Sequence, residues 1–323
     1  MSWPAEVARV SIYGAVQLGS GVASLLRERG EHAVDGPFGR DERERALGSG
    51  ADVVLIATTT RLADVVDDIR RAVRAGSNVL VSAEETANPY LVDPALAAEV
   101  HDEAVAAGVT VLGAGLNPGL VFDALVLTVL GAAADDVDVS VSRTVDISGF
   151  GTPVLRRIGV GLTPTEFDEG VRAGEVLGHA GFPQSISIVG RARGIAVPSI
   201  EPSLAAVVTS EPLTLRDGRE IAAGRTAGVD QTYRATRDGR TWYEARFRGH
   251  VDPASVGWAL ADVITLTRDG EVVQELTARP CFPAQSGSQH VLANSIDRVL
   301  AARPGWLSVA DLPPAAWSGS AAS

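Results

Sequence analysis

The 323-residue sequence contains a single cysteine, Cys281, and a single methionine, and only 5% of its residues are aromatic. One cysteine excludes an internal disulfide framework and a cysteine-rich zinc site, and we expect Cys281 to be a buried small side chain rather than a nucleophile. The histidines, at positions 32, 101, 179, 250 and 290, lack the spacing of a metal-binding motif. The sequence also lacks a Gly-x-Ser-x-Gly turn. We therefore predict neither a metal centre nor a covalent nucleophile.

Long apolar runs and an excess of positive charge are missing as well. No run approaches the roughly 18 apolar residues of a membrane span, and residues 1–10 lack the basic segment and apolar stretch of a leader sequence. A formal net charge of -12 argues against nucleic acid and anionic membranes as partners. A hydrophobic content of 46% is enough for two buried cores in a chain of this length. The sequence thus predicts a soluble, cytoplasmic protein of two domains.

Short apolar segments alternate with amphipathic segments in the first third of the chain. Five segments have the composition of buried strands: residues 7–13, 32–35, 52–57, 79–82 and 109–112. Three segments have the apolar spacing of helices: residues 19–29, 62–75 and 94–107. Strands that alternate with helices of about 10–15 residues indicate a parallel sheet with right-handed crossovers. We therefore predict a Rossmann-like dinucleotide-binding domain over residues 1–115.

A glycine-containing turn connects the first predicted strand to the first predicted helix. Its sequence is Gly14-Ala-Val-Gln-Leu-Gly19, and glycines in such a turn let the backbone approach a pyrophosphate at the helix N-terminus. Val16 stands where the usual middle glycine would be, so its Cβ opposes that approach. The predicted cofactor-binding residues in this turn are Gly14, Val16, Gln17, Leu18 and Gly19.

The second predicted strand leads to an acidic residue and then to arginines. Asp35 lies about 20 residues beyond Gly14, where an acidic side chain can bind the ribose 2′-hydroxyl of NAD. Arg40 follows closely and could instead accept the 2′-phosphate of NADP, whereas Arg43 and Arg45 are typical of a solvated short helix. We place Asp35 and Arg40 in the cofactor site, and both NAD and NADP remain open.

Small and polar residues follow the third and fourth predicted strands, and Glu84 and Glu85 are adjacent carboxylates at the end of the fourth. In an open α/β sheet, ligands bind at the carboxyl ends of the strands. The pair could serve a ligand there, or it could open a helix near Thr86, since the helix dipole favours negative charge at that end. The remaining predicted cofactor-binding residues at these strand ends are Ala57, Thr58, Thr59 and Ala83.

The segment Gly113-Ala-Gly-Leu-Asn-Pro-Gly119 marks the end of the first domain. Its glycines and the Asn-Pro pair predict an irregular backbone with exposed amide groups, which suits a hinge or a ligand-contacting loop. Asn117 could orient a substrate or the nicotinamide amide, or it could simply form a local turn. We include Asn117 among both the cofactor-binding and the substrate-binding candidates.

The pattern changes in the remainder of the chain. Period-2 alternation predicts strands over residues 137–145 and over much of 204–276, where Asp217-Gly218, Asp238-Gly239 and Asp269-Gly270 are hairpin signals. The predicted helices are residues 120–130, 164–173, 183–193 and 287–302. We predict an α+β substrate and dimerisation domain with a mostly antiparallel sheet over residues 116–285. Residues 286–323 are expected to pack back on the first domain.

Four residues of the second domain are candidates for contact with a substrate in a cleft between the domains. His179 lies between glycines in Leu-Gly-His-Ala-Gly-Phe-Pro, although a lone histidine is more often a structural group. Arg143, Phe150 and Phe182 could line a pocket or, equally well, belong to the core or the surface.

Several of these motifs together resemble one family. The Glu-Glu pair, G-A-G-L-N-P-G, G-H-A-G-F-P-Q-S and R-P-G-W-L-S-V-A-D-L-P are similar to the 2,4-diaminopentanoate dehydrogenase and native amine dehydrogenase family over about residues 11–313. That family is related in fold to dihydrodipicolinate reductase. The resemblance implies a usually dimeric enzyme that uses NADPH or NADH to deaminate a primary amine, or to aminate a carbonyl compound in reverse. It also implies that a glutamate at position 84 or 85 serves the amine and imine chemistry.

This chemistry suits a carboxylate, because an ammonium or iminium group carries positive charge and exchanges protons. Two features depart from the family pattern: Val16, and a short segment between Asp35 and Asp52. We predict an NAD(P)-dependent oxidoreductase acting on C–N bonds, a homodimer with a small amine or carbonyl substrate. The alternatives are a non-redox imine- or amine-processing enzyme and a ligand-binding protein on the same scaffold.

Overall fold

The computed structural model describes residues 7–133, 136–196 and 199–314. The chain forms two compact units, each built from more than one segment. The first contains the described residues of Met1–Thr128, Ser187–Ile195 and Pro283–Ser323. The second contains those of Val129–Ile186 and Ala196–Phe282.

The first unit contains a six-stranded, wholly parallel sheet. Its strands are β1 (Arg9–Tyr13), β2 (Ala33–Phe38), β3 (Val53–Ile56), β4 (Asn78–Val81), β5 (Thr110–Gly113) and β14 (Gly305–Leu307). In space they follow the order β14-β5-β4-β3-β1-β2, and each neighbouring pair runs parallel. The predicted Rossmann-like domain is thereby confirmed.

The inner strands of this sheet contribute to two cores, one on each face. In β3, Val54 and Ile56 pack in one core, whereas Val53 and Leu55 pack in the other. Successive side chains of a strand point to opposite faces, so a strand covered on both faces has a continuous apolar run. This double burial explains the unbroken apolar sequence of β3.

The helices of the first unit lie largely where the sequence predicts them. They are α1 (Gln17–Arg29), α2 (Arg43–Leu47), α3 (Val66–Arg74), α4 (Pro94–Ala107), α9 (Ala284–Ala293) and α10 (Ile296–Leu300). In α4 the carboxylate of Asp93 accepts a hydrogen bond from the N–H of Leu96 at 3.0 Å, and Gly108 ends the helix in a left-handed conformation. Both ends follow the ordinary capping rules.

Two predictions for the C-terminal segment are wrong. The single helix over residues 287–302 is two helices, α9 and α10, separated at Asn294 and Ser295. The buried Ser295 hydroxyl donates to the carbonyl of Val291 at 2.7 Å, and serine bonds of this kind compete with a continuous helix. The strand β14 was not predicted, because three residues are too few to show a period.

The second unit contains a mixed six-stranded sheet. Its strands are β6 (Asp138–Asp146), β7 (Ile200–Val208), β10 (Thr226–Arg237), β11 (Arg240–His250), β12 (Ala261–Arg268) and β13 (Glu271–Ala278). The order is β13-β12-β6-β11-β10-β7, and only the central pair β6–β11 is parallel. The predicted α+β domain with a mostly antiparallel sheet is confirmed.

The remaining elements are four helices and a small two-stranded sheet. The helices are α5 (Ala124–Leu130), α6 (Thr152–Ile158), α7 (Pro164–Ala173) and α8 (Phe182–Ala192), and the strands are β8 (Leu213–Thr214) and β9 (Glu220–Ile221). The chain passes between the two units within α5 and within α8.

Two of the three Asp-Gly signals form two-residue hairpins, and the third, Asp217-Gly218, lies in the loop between the paired strands β8 and β9. Asp238 and Gly239 have φ angles of 54° and 77°, and Asp269 and Gly270 have φ angles of 52° and 85°. Positive φ at both central residues is the conformation that matches the twist of a two-residue hairpin. These turns connect β10 to β11 and β12 to β13.

Candidate active site

The carboxyl ends of the central strands in the first unit meet at one edge. The N–H of Ala57 donates to the carbonyl of Tyr13 at 2.8 Å, the N–H of Ser82 donates to that of Ile56 at 3.0 Å, and the N–H of Ala114 donates to that of Val81 at 2.9 Å. The connection after β1 leads to β2 on one side, and the connection after β3 leads to β4 on the other side, so the two diverge and open a crevice at this edge. This is the candidate active-site edge of the first unit.

The turn after β1 is held close to the end of β3 by two glycines. A Cβ on Gly14, whose φ is +122°, would lie 2.3 Å from the carbonyl oxygen of Ala57, and a Cβ on Gly19 would lie 2.0 Å from that of Gly14. Neither position can accept a larger residue without moving the backbone. The first and last glycines of the motif are therefore required by the close packing of β1, α1 and β3.

Val16, the altered middle position, has an ordinary extended conformation with φ of -88° and ψ of 176°. It is the N-cap residue of α1, its side chain makes no capping hydrogen bond, and it is 62% exposed. The first N–H groups of a helix have no intrahelical acceptor, and they attract anions together with the helix dipole. The exposed start of α1 thus fits a phosphate group.

Gln17 and Leu18 take part in this turn through different contacts. The side-chain amide of Gln17 donates to Oε1 of Gln285 at 2.8 Å, and Leu18 packs against the core of the sheet. Both side chains are thus occupied by contacts within the protein. The backbone N–H groups of Gln17 and Leu18 are the groups that the start of α1 can offer to a ligand.

Of the two residues predicted to bind the adenosine ribose, Asp35 lies within β2 and Arg40 lies just after it. Asp35 is opposite Ser11, within the paired part of β2, whereas Phe38 is opposite Tyr13 at the end of β1. Arg40 begins the 3-10 helix Arg40–Glu42 just beyond that end. The structure therefore brings Arg40, rather than Asp35, to the active-site edge.

The loop after β3 is fixed by one side-chain hydrogen bond and one backbone hydrogen bond. Thr58 is exposed, and the hydroxyl of Thr59 donates to Asp64 at 3.3 Å. The N–H of Glu85 donates to the carbonyl of Thr60 at 3.4 Å. This loop therefore joins the ends of β3 and β4 along the edge.

Glu84 and Glu85 open the 3-10 helix Glu84–Ala87 directly after Ala83. Both carboxylates are partly buried. Oε2 of Glu85 accepts a hydrogen bond from the N–H of Leu62 at 2.7 Å, so this carboxylate holds the turn that leads into α3. The alternative considered from the sequence, in which the acidic pair opens a helix, therefore describes Glu85 well.

The crossover after β5 passes close to this 3-10 helix. A Cβ on Gly113 would lie 2.3 Å from the backbone carbon of Thr86, so only glycine permits this approach. Asn117 follows in the same loop, is partly buried, and precedes Pro118 in a cis peptide bond. The loop from Gly113 onwards therefore adjoins the helix that carries Glu84.

In the second unit, His179 lies in a cluster of aromatic rings. Its ring centroid is 5.4 Å from that of Phe182 and 4.9 Å from that of Phe247, and Phe182 lies 5.1 Å from Tyr233. The backbone N–H of His179 donates to Oε1 of Gln231 at 2.8 Å. The structure therefore brings together two sequence-predicted residues, His179 and Phe182.

The sequence did not identify the other members of this His179 cluster, Gln231, Tyr233 and Phe247. They lie on β10 and β11, far from His179 along the chain. Strand alternation does place Gln231 and Tyr233 on one face, but nothing in the sequence indicates which helix that face meets.

His179 is neutral at physiological pH. Burial, as the main effect, lowers its pKa from 6.5 to about 4. Nδ1 lies 2.6 Å from the carbonyl oxygen of Ala180, which can only accept, so Nδ1 carries the hydrogen and Nε2 has a lone pair. An uncharged imidazole does not repel a cationic ligand.

Arg143 is buried and is part of the core of the second unit. Its Nη1 lies 2.7 Å from both carboxylate oxygens of Asp262, and its Nη2 donates to the carbonyl of Phe282 at 2.6 Å. Asp262 also accepts a hydrogen bond from the N–H of Phe282 at 2.7 Å. Of the two interpretations that the sequence allowed, this geometry supports a core role for Arg143 over contact with a substrate.

Phe150 lies in the turn between β6 and α6. Its N–H donates to the carbonyl of Ile147 at 3.0 Å, and its side chain is partly buried. These contacts are compatible with both alternatives for Phe150, pocket or core.

Within residues 7–133, 136–196 and 199–314, no group of three or more His, Cys, Asp or Glu side chains could hold a metal ion. In the same part of the chain, no helix combines the length and the apolar character needed to cross a membrane.

Comparisons with known proteins agree with the sequence resemblance. A model of the 2,4-diaminopentanoate dehydrogenase C-terminal domain matches residues 120–323. The chain is 30% identical over 338 residues to the 2,4-diaminopentanoate dehydrogenase of Acetoanaerobium sticklandii, and the match covers 95% of this chain and 94% of that relative.

Two solved structures share the fold over nearly the whole chain. An amine dehydrogenase from Mycobacterium smegmatis has a TM-score of 0.81 at 23% identity, covering 97% of this chain and 98% of that one. A probable dehydrogenase from Thermotoga maritima has a TM-score of 0.51 at 12% identity, covering 94% and 92%. These likenesses confirm the fold class.

A core role for Arg143 makes a specific prediction. Arg143→Met leaves Asp262 buried without its partner, which should lower the free energy of unfolding by about 3–5 kcal/mol. The double variant Arg143→Met/Asp262→Leu removes both charges and should recover most of that loss, although Phe282 loses its partners. Urea denaturation of the purified variants measures both effects. A stable Arg143→Met protein with only an increased KM would instead assign Arg143 to the substrate.

Proposed function

The chain belongs to the 2,4-diaminopentanoate dehydrogenase family, and we propose that it is an NAD(P)-dependent amine dehydrogenase in which Glu84 handles the ammonium or iminium group of the substrate. The observation that carries the role of Glu84 is its position: it is the first residue of the 3-10 helix after β4, partly buried at the candidate active-site edge. Membership of a dehydrogenase family disfavours the two alternatives considered from the sequence, a non-redox enzyme and a ligand-binding protein.

The first unit has the features that a nicotinamide dinucleotide requires. The uncapped, exposed start of α1 lies at the switch point of the sheet, where backbone N–H groups would hold the pyrophosphate. Ala57, Thr58 and Ala83, at the ends of β3 and β4, would flank the nicotinamide half. When bound, the cofactor supplies the hydride acceptor or donor at the nicotinamide C4.

Glu84 would bind the reacting nitrogen of the substrate. An ammonium N–H donates to the carboxylate, and this charge-assisted hydrogen bond both places the nitrogen and lowers the energy of its cationic forms. A carboxylate in contact with the nitrogen can also accept the proton that the ammonium must lose before its C–N bond is oxidised. Glu85 would contribute indirectly, by holding the loop between β3 and α3.

The His179 cluster is the part of the second unit that we propose contacts the amine or carbonyl substrate. Phe182 and Phe247 are buried and support His179 and Tyr233, which are partly exposed and would meet the carbon skeleton of the substrate. His179 is neutral, so it can accept a hydrogen bond through Nε2 without adding positive charge beside an amine.

We further propose that the enzyme is a homodimer that pairs through one face of the second unit's sheet, as the family resemblance implies. Strand alternation places Ser140, Ser142 and Thr144 of β6 on the face opposite that of Tyr243. On the same face as Ser142 lies Val263 of β12, and these central residues are short and uncharged. Glu244, Arg246 and Arg248 of β11 lie beside these residues on the same face, so a second copy would meet short side chains on β6 and β12 and charged ones on β11.

The two glutamates should respond differently to substitution. Glu84→Gln keeps the shape of the side chain but removes its charge and basicity, so turnover should fall by about 10²–10⁴-fold, while cofactor binding is retained. Glu85→Gln still offers an acceptor to Leu62 and should keep most activity, whereas Glu85→Ala should lose about 1–3 kcal/mol of stability.

Turnover is measured as reductive amination of a panel of ketones and aldehydes, followed by nicotinamide absorbance, and cofactor binding by fluorescence titration. Loss of turnover in Glu85→Gln but not in Glu84→Gln would reverse the two roles. Absence of any nicotinamide binding would contradict the proposed oxidoreductase itself.

Val16 allows a test of the phosphate site at the start of α1. Val16→Ser and Val16→Asp each supply a helix cap, so each should stabilise the cofactor-free protein by about 1 kcal/mol. Only the aspartate adds a negative charge beside the phosphate, and at such short range the repulsion should weaken NADPH and NADH binding by at least about tenfold. Thermal denaturation and fluorescence titration measure the two effects. Equal cofactor affinities of the Ser and Asp variants would place the pyrophosphate elsewhere.

The homodimer is tested by light scattering after size-exclusion chromatography. The wild type should have twice the chain mass of 33.5 kDa. Ser142→Arg places a charge in the centre of the proposed interface and should give a monomer. Ala173→Arg, at an exposed position at the end of α7, adds the same charge and should remain dimeric. A Ser142→Arg dimer would rule out this face.

A further inference from the structure

The residue at the end of β2 is not the one that counting from Gly14 suggests, because β2 contains a bulge. Between the pairs Ser11–Asp35 and Tyr13–Phe38, β2 advances by one residue more than β1. Asp35 is therefore displaced from the active-site edge into the paired part of the strand. Phe38 takes the edge position, and its carbonyl accepts a hydrogen bond from the N–H of Gly14 at 3.0 Å.

The residues that reach this edge before the 3-10 helix carry no carboxylate, and within that helix Asp41 and Glu42 follow Arg40. The residues before the helix are Pro37, Phe38 and Gly39, followed by Arg40. A site that prefers NAD places an aspartate or glutamate there to accept hydrogen bonds from the ribose hydroxyls, whereas a site for NADP places an arginine there for the 2′-phosphate. The edge of β2 therefore has the residue type expected for NADP and lacks the one expected for NAD.

Arg40 also differs from the two arginines that follow it. Arg43 is bound to Asp68, with its Nε 2.5 Å from the carboxylate. Arg45 lies 3.3 Å from Glu42 and places its guanidinium over the ring of Phe38, 4.9 Å from the centroid. Arg40 is exposed and, within the described part of the chain, takes part in no ion pair.

The charge of Arg40 acts at the end of β1. Burial and the carboxylate of Asp68 raise the pKa of the Tyr13 phenol, while Arg43 and Arg40 oppose that increase. Tyr13 directly precedes Gly14, so Arg40 lies within electrostatic range of the turn that would hold the cofactor.

We propose that Arg40 selects NADP over NAD by binding the 2′-phosphate of the adenosine ribose. This inference deepens the proposed function and rests on it for the presence of a dinucleotide. A phosphate monoester carries close to two negative charges at neutral pH, and a guanidinium can bind two of its oxygens at once. The ribose of NAD offers only a hydroxyl at that position and gains nothing from the arginine.

Gly39 provides a complementary test, because an acid is sterically allowed there. Its φ of -82° suits any residue, and a Cβ would meet no atom within 4 Å. Gly39→Asp would therefore introduce the ribose-binding carboxylate that this edge lacks, and it would repel a 2′-phosphate.

Two nucleotides that differ only in the 2′-phosphate separate this interaction from the nicotinamide chemistry. Isothermal titration of the full-length protein with adenosine 2′,5′-bisphosphate and with adenosine 5′-monophosphate should show tighter binding of the bisphosphate by about 10- to 100-fold. Arg40→Gln should reduce that preference to about threefold or less and leave the monophosphate affinity unchanged.

Arg74→Gln is the matched control. Arg74 is the last residue of α3 and precedes β4, so it lies at the amino edge of the sheet, and its loss changes the net charge equally. It should keep the full preference for the bisphosphate. Gly39→Asp should lower the bisphosphate affinity, and in Gly39→Asp/Arg40→Gln the thermal stabilisation by NAD should exceed that by NADP.

Equal binding of the two nucleotides by the wild type, or failure of both to bind, would overturn the inference. So would an Arg40→Gln protein that keeps the full preference for the bisphosphate. The result for Arg40 can be distinguished from the result for the proposed amine dehydrogenase activity. If the protein turns over no amine or carbonyl compound but shows an Arg40-dependent preference for the bisphosphate, the amine dehydrogenase proposal fails and the role of Arg40 stands.

Discussion

The close contact between the turn after β1 and the end of β3 is the constraint on which the first unit depends. Gly14 can lie against the carbonyl of Ala57, and Gly19 against that of Gly14, only because neither has a side chain. This contact brings the start of α1, the loop after β3 and the helix that carries Glu84 to one edge of the sheet. The turn accommodates Val16 because the middle position has an ordinary extended backbone, unlike Gly14.

The second unit relies on a different interaction, the buried pair of Arg143 and Asp262. Both partners also bind the backbone of Phe282, the last residue of the unit before the chain enters the first unit. A buried ion pair is costly to desolvate, so its value lies in fixing this backbone position rather than in net stability. With Arg143 so committed, the proposed substrate contact of the second unit is His179.

Much of the fold could be predicted from the sequence, because the relevant signals are local. Continuous apolar runs identified the buried strands of the first unit, the Asp-Gly pairs identified the hairpins, and Asp93 with Gly108 bounded α4. The errors fell where local signals are weak. β14 is too short to show a period, and one buried hydroxyl, that of Ser295, separates α9 from α10.

The candidate site shows the same division. The sequence by itself determined that Glu84 and Glu85 follow a buried strand, that a glycine turn opens α1, and that His179 lies between glycines, because each is a pattern of neighbours in the chain. Only the tertiary structure gave Glu85 the N–H of Leu62 as a partner, placed Arg143 in the core, and placed Arg40 rather than Asp35 at the edge. Those outcomes depend on hydrogen bonds between distant segments and on a bulge in β2, which no count of residues along the chain can provide.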